Sequence, residues 1–291
     1  MIGQVIANYG RQYGVQTSDG ALLTCVMRGK KGGIACGDQV KILPTTSGQG
    51  VIETVLSRSS LLYRSDAFRQ KLIAANVTQL IIVVAVVPTF SEELIDRCLI
   101  AAENQRIKAL IVLNKADLLE QARTAAATLS FYSSLGYPVL TISATQNIEP
   151  LRPYLHGHTS VLTGQSGMGK STIINALMPG AKRTTMEIST ALDSGRHTTT
   201  HTRLYHLDLD SAIIDSPGLQ EFGLHHIDNS ELVGGFVEFY PYLGQCRFSN
   251  CRHMTEPDCA LLLAAQEGNI HARRLATYQK LIAAAEKQKT W

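Results

Sequence analysis

The sequence predicts a multidomain chain: an N-terminal β-barrel over residues 1–62, a linker over 63–77, a mostly parallel α/β domain over 78–230 and an α-helical, metal-stapled domain over 231–291. Three observations predict it. Five short strand-like runs crowd into the first 58 residues. From residue 78, apolar runs alternate with helical patterns. Near the end, three cysteines and a histidine fall within fourteen residues. At 291 residues, 45% hydrophobic and 18% charged, the chain can build more than one core and is not a disordered sequence. Its longest apolar run, Leu80 to Val87, is far too short to span a membrane. The first residues lack the basic-then-apolar pattern of a secretory signal. A cytoplasmic monomer with no membrane partner is the expectation.

The barrel rests on the runs Gln4–Tyr9, Gln12–Gln16, Ala21–Met27, Gln39–Leu43 and Val51–Leu56, separated by glycine-rich turns. Five strands in about sixty residues suit an OB-like barrel, with a five-stranded SH3-like barrel as the alternative. Residues 1–75 carry nine Lys/Arg against four Asp/Glu, a net +5 in a chain of net +3. That asymmetry suits contact with a polyanion, although a normally solvated surface would also carry it. Arg11, Arg28, Lys30, Lys31 and Lys41 are the candidate contacts. Tyr9 and Tyr13 either stack on bases or pack inside the barrel. Ser59–Ala75, with Arg64, Arg69 and Lys71, reads as the basic linker.

The α/β domain rests on strands at Gln79–Val86, Ala109–Leu113, Val139–Ile142, Ser160–Leu162, Leu204–Leu209 and Ala212–Ile214. Helices are expected near Ser91–Asn104, Leu118–Leu135 and Lys170–Leu177. Between a strand and a helix lies Gly164-Gln165-Ser166-Gly167-Met168-Gly169-Lys170-Ser171, followed by Thr172. This is G-x-x-x-x-G-K-[ST] in its required context. The glycines let backbone N–H groups face phosphate oxygens, and the helix N-terminus adds partial positive charge. Lys170 can reach the β- and γ-phosphates, and Ser171 can hold Mg²⁺.

Asn114-Lys115-Ala116-Asp117 follows a strand. A carboxylate there can accept from guanine N1–H and its exocyclic amine together. Adenine lacks that donor pair and would leave Asp117 unpaired. Lys115 can lie along the base, Asn114 can tie loops together, and Ser143-Ala144 can offer a backbone N–H to the guanine carbonyl. Asp215-Ser216-Pro217-Gly218 fits D-x-x-G, with Asp215 supporting the Mg²⁺ shell and the Gly218 N–H sensing the γ-phosphate. Thr199, in the polar stretch 182–201, is the candidate to complete that shell. Leu219 stands where Ras-like enzymes have the glutamine that orients the attacking water. His197 is the candidate replacement, being titratable near neutral pH. These motifs describe a P-loop GTPase, but base reading at 114–117 precedes the phosphate loop at 164–171, so the order is circularly permuted.

Cys246-x4-Cys251-x-His253-x5-Cys259 offers three thiolates and one imidazole, a set suited to one structural, tetrahedral Zn²⁺. In the helical stretch His271–Lys287, Leu275, Tyr278, Leu281, Ile282 and Ala285 share one face, read as packing.

Taken together, the permuted order NKAD, GQSGMGKS, DSPG, the GRHTTTH stretch and the C-x4-C-x-H-x5-C cluster resemble the bacterial small-subunit-dependent GTPases of the RsgA/YjeQ family, over nearly the whole chain. The resemblance implies an OB barrel, a permuted GTPase core and a zinc domain. It also implies low intrinsic GTP hydrolysis stimulated by the small ribosomal subunit, rRNA contact, and a role in that subunit's late maturation. It assigns the proposed catalytic histidine to His197 and the zinc ligands to Cys246, Cys251, His253 and Cys259. The N-terminal domain reads as short, so rRNA contact through the long basic extension that some members carry is not expected here. Two other functions stay open at this point: an RNA-binding module that senses nucleotide with negligible turnover, and a P-loop ATPase, against which NKAD argues.

Overall fold

A computed structural model describes residues 1–29, 33–65, 70–179, 202–216, 224 and 227–289. The barrel strands are β1 (Ile2–Asn8), β2 (Gln12–Thr17), β3 (Leu22–Met27), β4 (Gln39–Pro44) and β5 (Gln49–Val55). Alternating residues of β1 and β2 turn inward, so Val5, Tyr13 and Val15 join Cys25, Val40, Ile42 and Ile52 in one core. Tyr13 is therefore a packing residue and not a base-stacking one.

The strand order decides the barrel type. β3 pairs with β5 in parallel and β4 closes on β1, giving β1-β2-β3-β5-β4. A meander would set β4 beside β3. This Greek-key closure is that of an OB barrel and removes the SH3-like alternative. Gly3 permits the closure, since a Cβ there would stand 2.8 Å from Val15 Cγ1 and 2.9 Å from Ile42 Cδ1.

The expected linker over 63–77 is a packed hairpin instead, β6 (Leu61–Ser65) against β7 (Gln70–Ala75). Its charged middle hid apolar ends: Leu62, Ile73, Ala74 and Ala75 are buried, and Ala74 bridges to Cys36 beneath the barrel.

The second domain runs β8 (Gln79–Ala85), α1 (Glu92–Asn104), β9 (Lys108–Asn114), α2 (Leu119–Ser134), β10 (Val139–Thr141), the short α3 (Arg152–Leu155), β11 (Thr159–Thr163), α4 (Lys170–Leu177), β12 (Arg203–His206) and β13 (Ala212–Asp215). The sheet order is β10-β9-β8-β11-β13-β12, parallel except for β12. Every residue of β8 is buried, as a central strand covered on both faces must be. The parallel strands all end at one edge, so the loops leaving them gather there whatever their order in the chain. The strand expected over Leu204–Leu209 ends at His206. Asp208 accepts from the Asp210 N–H (2.9 Å) and the Ser211 hydroxyl (2.8 Å) and turns the chain.

The last unit holds α5 (Asn229–Gly234), a 3₁₀ turn at Val237–Tyr242, α6 (Ala260–Gln266) and α7 (Ala272–Lys289). Asp228 and Glu231 form a capping box on α5. Phe236 and Phe239 stack at 4.7 Å, and Tyr278 meets both edge-on. Leu275, Tyr278, Leu281 and Ile282 of α7 are buried, while Ala285 is half-buried. This core is continuous with that of the α/β domain across α1.

Candidate functional site

The strand-end edge brings three separated segments together. Asn114, at the end of β9, is buried and is the hub. Its Nδ2 donates to the Met168 carbonyl at 3.0 Å, inside the glycine-rich loop. Its Oδ1 accepts from the Ala144 N–H at 3.0 Å, in the loop after β10. Lys115, at φ +63°, donates through Nζ to the carbonyls of Gly167 (2.8 Å) and Val87 (2.7 Å). Asp117 is exposed, and its Oδ1 accepts from the Ser143 hydroxyl at 2.6 Å. The 114–117, 143–144 and 164–171 segments thus form one cluster.

The glycine-rich loop has the conformation that its glycines allow. Gly164, Gly167 and Gly169 sit at φ +137°, +81° and +93°. A Cβ on Gly164 would run into the Val83 carbonyl, and one on Gly169 into the Asn114 amide. Met168 is fully buried, anchoring the loop from below. Ser166 and Gly167 face solvent, as do Ser171 and Thr172 in the first turn of α4. Lys170 folds over the loop, donating to the carbonyls of Gly164 (2.6 Å) and Gln165 (2.7 Å). Burial pushes its pKa down, against the pull of the Asp215 carboxylate. Asp215, at the end of β13, is half-buried; burial pushes its carboxyl up, and Lys170 works the other way. The glycine-rich loop and the first turn of α4 can receive a polyphosphate. His197, Thr199 and Gly218 lie outside the described residues, as do Lys30 and Lys31.

Two contacts lie beyond what the motifs predict. The Gln165 side chain turns away from the loop and accepts the Ser91 N–H at 2.8 Å. Glu256 accepts the N–H groups of Arg252 (2.9 Å), Met254 (2.8 Å) and Thr255 (3.1 Å). A glutamate directly before Pro257 in a cysteine-rich loop could have suggested the latter.

In the C-terminal unit the ligand atoms of Cys246, Cys251, His253 and Cys259 all lie within 4.8 Å of one another. Cys259 and His253 are buried and the other two half-buried, so the set could hold a metal ion. Gln279 Nε2 donates to the His253 carbonyl at 3.0 Å, and His253 takes φ +60° to present its ring.

A family model described as RsgA GTPase matches residues 55–225. The chain belongs to the RsgA GTPase family. A curated relative from Nitrosomonas europaea, named small ribosomal subunit biogenesis GTPase RsgA, is 58% identical over 294 residues, covering 100% of this chain and 94% of that protein. The crystal structure of YjeQ from Thermotoga maritima matches with a TM-score of 0.76 and 33% identity, covering 98% of each chain. YloQ, described as a circularly permuted GTPase, matches at 0.74 and 25% identity, covering 99% of this chain and 95% of that one. Membership of the RsgA family accounts for the loop order: base loop, phosphate loop and D-x-x-G follow one another from residue 114 to 218. Among the described residues, no helix is long and apolar enough to cross a membrane.

Proposed function

We propose that this chain hydrolyses GTP to GDP and phosphate, and does so in the maturation of the small ribosomal subunit in the cytoplasm. The observation that carries the reading is Asn114, which joins the base loop to both the phosphate loop and the 143–144 loop. In this reading the carboxylate of Asp117, held by Ser143, accepts from guanine N1–H and the exocyclic amine. The Ala144 N–H is committed to Asn114, which leaves the next peptide, that of Thr145, to meet the guanine carbonyl. Backbone N–H groups from Gly164 to Ser171 cradle the phosphates, with Lys170 released from its carbonyl partners to reach them. Ser171, Asp215 and Thr199 would hold the Mg²⁺ that enters with GTP, and the ion would neutralise phosphate charge. Thr172 and Gly218 complete the nucleotide contacts. His197 orients water for attack on the γ-phosphorus, and the bond to the β-phosphate oxygen breaks.

The Cys₃His set suits Zn²⁺. Tetrahedral zinc separates two sulfurs by about 3.8 Å and a sulfur and nitrogen by about 3.5 Å. Cys246 Sγ stands 3.9 Å from Cys259 Sγ, and His253 Nδ1 stands 3.5 and 3.3 Å from those two sulfurs. Four protein ligands leave no open position, so the metal's role is structural. Contact with rRNA falls to the basic barrel, where Arg11, Arg28 and Lys41 are exposed.

Competition binding tests the nucleotide reading: guanine nucleotides should displace a labelled GDP and adenine nucleotides should not. Equal displacement by ATP would replace the reading with that of a P-loop ATPase. The absence of a glutamine after D-x-x-G keeps a second reading in play, a nucleotide sensor with negligible turnover.

A further inference from the structure

The side chain of Gln165 does a job that its motif does not require. In a phosphate loop the variable positions contribute backbone N–H groups, so their side chains are free. Here Oε1 accepts the Ser91 N–H at 2.8 Å. Ser91 is the N-cap of α1, and its own hydroxyl accepts from the Leu94 N–H at 3.3 Å. The phosphate loop is therefore fastened to the first turn of α1.

That same helix is locked to the C-terminal unit. Asp96 of α1 is fully buried and binds two arginines of α7: Arg273 at 2.8 Å and Arg274 at 2.8 Å. Arg274 is also fully buried and forks onto Glu238 at 2.6 and 3.1 Å. Arg273 reaches Glu92 at 3.1 Å and the Tyr132 hydroxyl at 3.1 Å, and Lys280 pairs with Glu93. On its other side α7 holds the metal loop, through Gln279 to the carbonyls of His253 and Met254 and through Tyr278 to that of Arg252. Gly235, which caps the C-terminus of α5, adds a close contact, since a Cβ there would stand 2.6 Å from Ile100 Cγ2.

We propose that Gln165 is a positioning residue, which ties the phosphate loop to α1 so that the metal-binding unit, locked to α1 by Asp96, Arg273 and Arg274, helps hold the nucleotide site in shape. The proposal rests on the reading of the loop as a GTP site and names a route by which that site is regulated. The route does not pass through the segment after D-x-x-G. Whatever shifts α7 shifts α1, and the Gln165–Ser91 bond carries the shift to the phosphates. By linkage, nucleotide binding strengthens metal binding by the same factor by which metal strengthens nucleotide binding.

A double-mutant cycle on the full-length, metal-loaded chain tests it, read as the dissociation rate of labelled GDP. Gln165→Ala should speed release about threefold to tenfold, the range one hydrogen bond commands. Arg273→Gln, distant from the loop, should speed it about threefold, and Arg273→Lys less. In the Gln165→Ala background Arg273→Gln should add nothing. Lys280→Met, at an exposed pair, provides a milder second cycle should Arg273→Gln impair folding, judged by metal content and melting temperature. Effects that multiply in the double variants, or variants of α7 that leave release unchanged, would overturn the proposal. A wild-type chain that bound no GDP would instead sink the nucleotide reading itself, and this inference with it.

Discussion

Asn114 and Met168 stand 54 residues apart in the chain, yet a buried 3.0 Å hydrogen bond from the Asn114 amide to the Met168 carbonyl fastens the base loop to the phosphate loop. The other end of the same amide holds Ala144. One side chain thus sets the spacing of the 114–117, 143–144 and 164–171 loops.

Replacing Asn114 by alanine leaves the buried Met168 carbonyl and Ala144 N–H without their partner. Each loss is worth about 1–3 kcal/mol. GDP and GTP affinity should fall at least about tenfold, and the melting temperature of the nucleotide-free chain should drop by about 2–4 °C for each kcal/mol lost. Titration with a fluorescent guanine nucleotide measures it, and unchanged affinity would remove Asn114 from its place at the hub.

His197→Ala should cut GTP hydrolysis by about 10²-fold, within the usual span for a group that handles a proton or water. GTP affinity should hold within about twofold of wild type, because a water-positioning group contributes little to ground-state binding. Single-turnover hydrolysis alongside equilibrium binding separates the two. Equal loss of both would assign His197 to binding.

Arg274 and Asp96 are both fully buried and paired at 2.8 Å. Arg274→Met removes the charge that balances Asp96 and Glu238, and breaking a buried pair from one side costs about 3–5 kcal/mol. The denaturation midpoint should drop accordingly. A loss below about 1 kcal/mol would mean that the pair is no better than a surface bridge.

Glu256 organises the metal loop by accepting three backbone N–H groups. Burial works to raise its carboxyl, but those N–H groups outweigh it and hold it down to about 2. A depressed pKa means that the stabilisation is complete above the ordinary glutamate value near ~4.3 and fades only as pH falls toward about 2. At neutral pH, Glu256→Gln should therefore release metal to a colorimetric chelator several-fold faster than wild type. Identical release would show that the ligand loop does not depend on this carboxylate.

Much of the site was legible because its chemistry is local. GQSGMGKS carries its own turn, and Lys170–Leu177 is the helix expected from it. The cysteine cluster was legible from spacing alone. What stayed hidden depends on distant partners. Nothing in Ser91 or Gln165 announces their bond across 74 residues, nor in Asp96 and Arg274 theirs across 178. The hairpin at Leu61–Ala75 was masked by charges in its middle, whereas its apolar ends decide its packing. The parallel β3–β5 pairing that makes the barrel an OB type is a topological fact with no residue signature.

If the reshuffled loops form one guanine-nucleotide site, as proposed, its turnover should answer to the small ribosomal subunit. GTP hydrolysis measured while purified small subunits are titrated in tests it most directly. Slow turnover alone, rising to a plateau as subunits approach stoichiometry, is the expected result. A rate that stayed flat across the titration would contradict it.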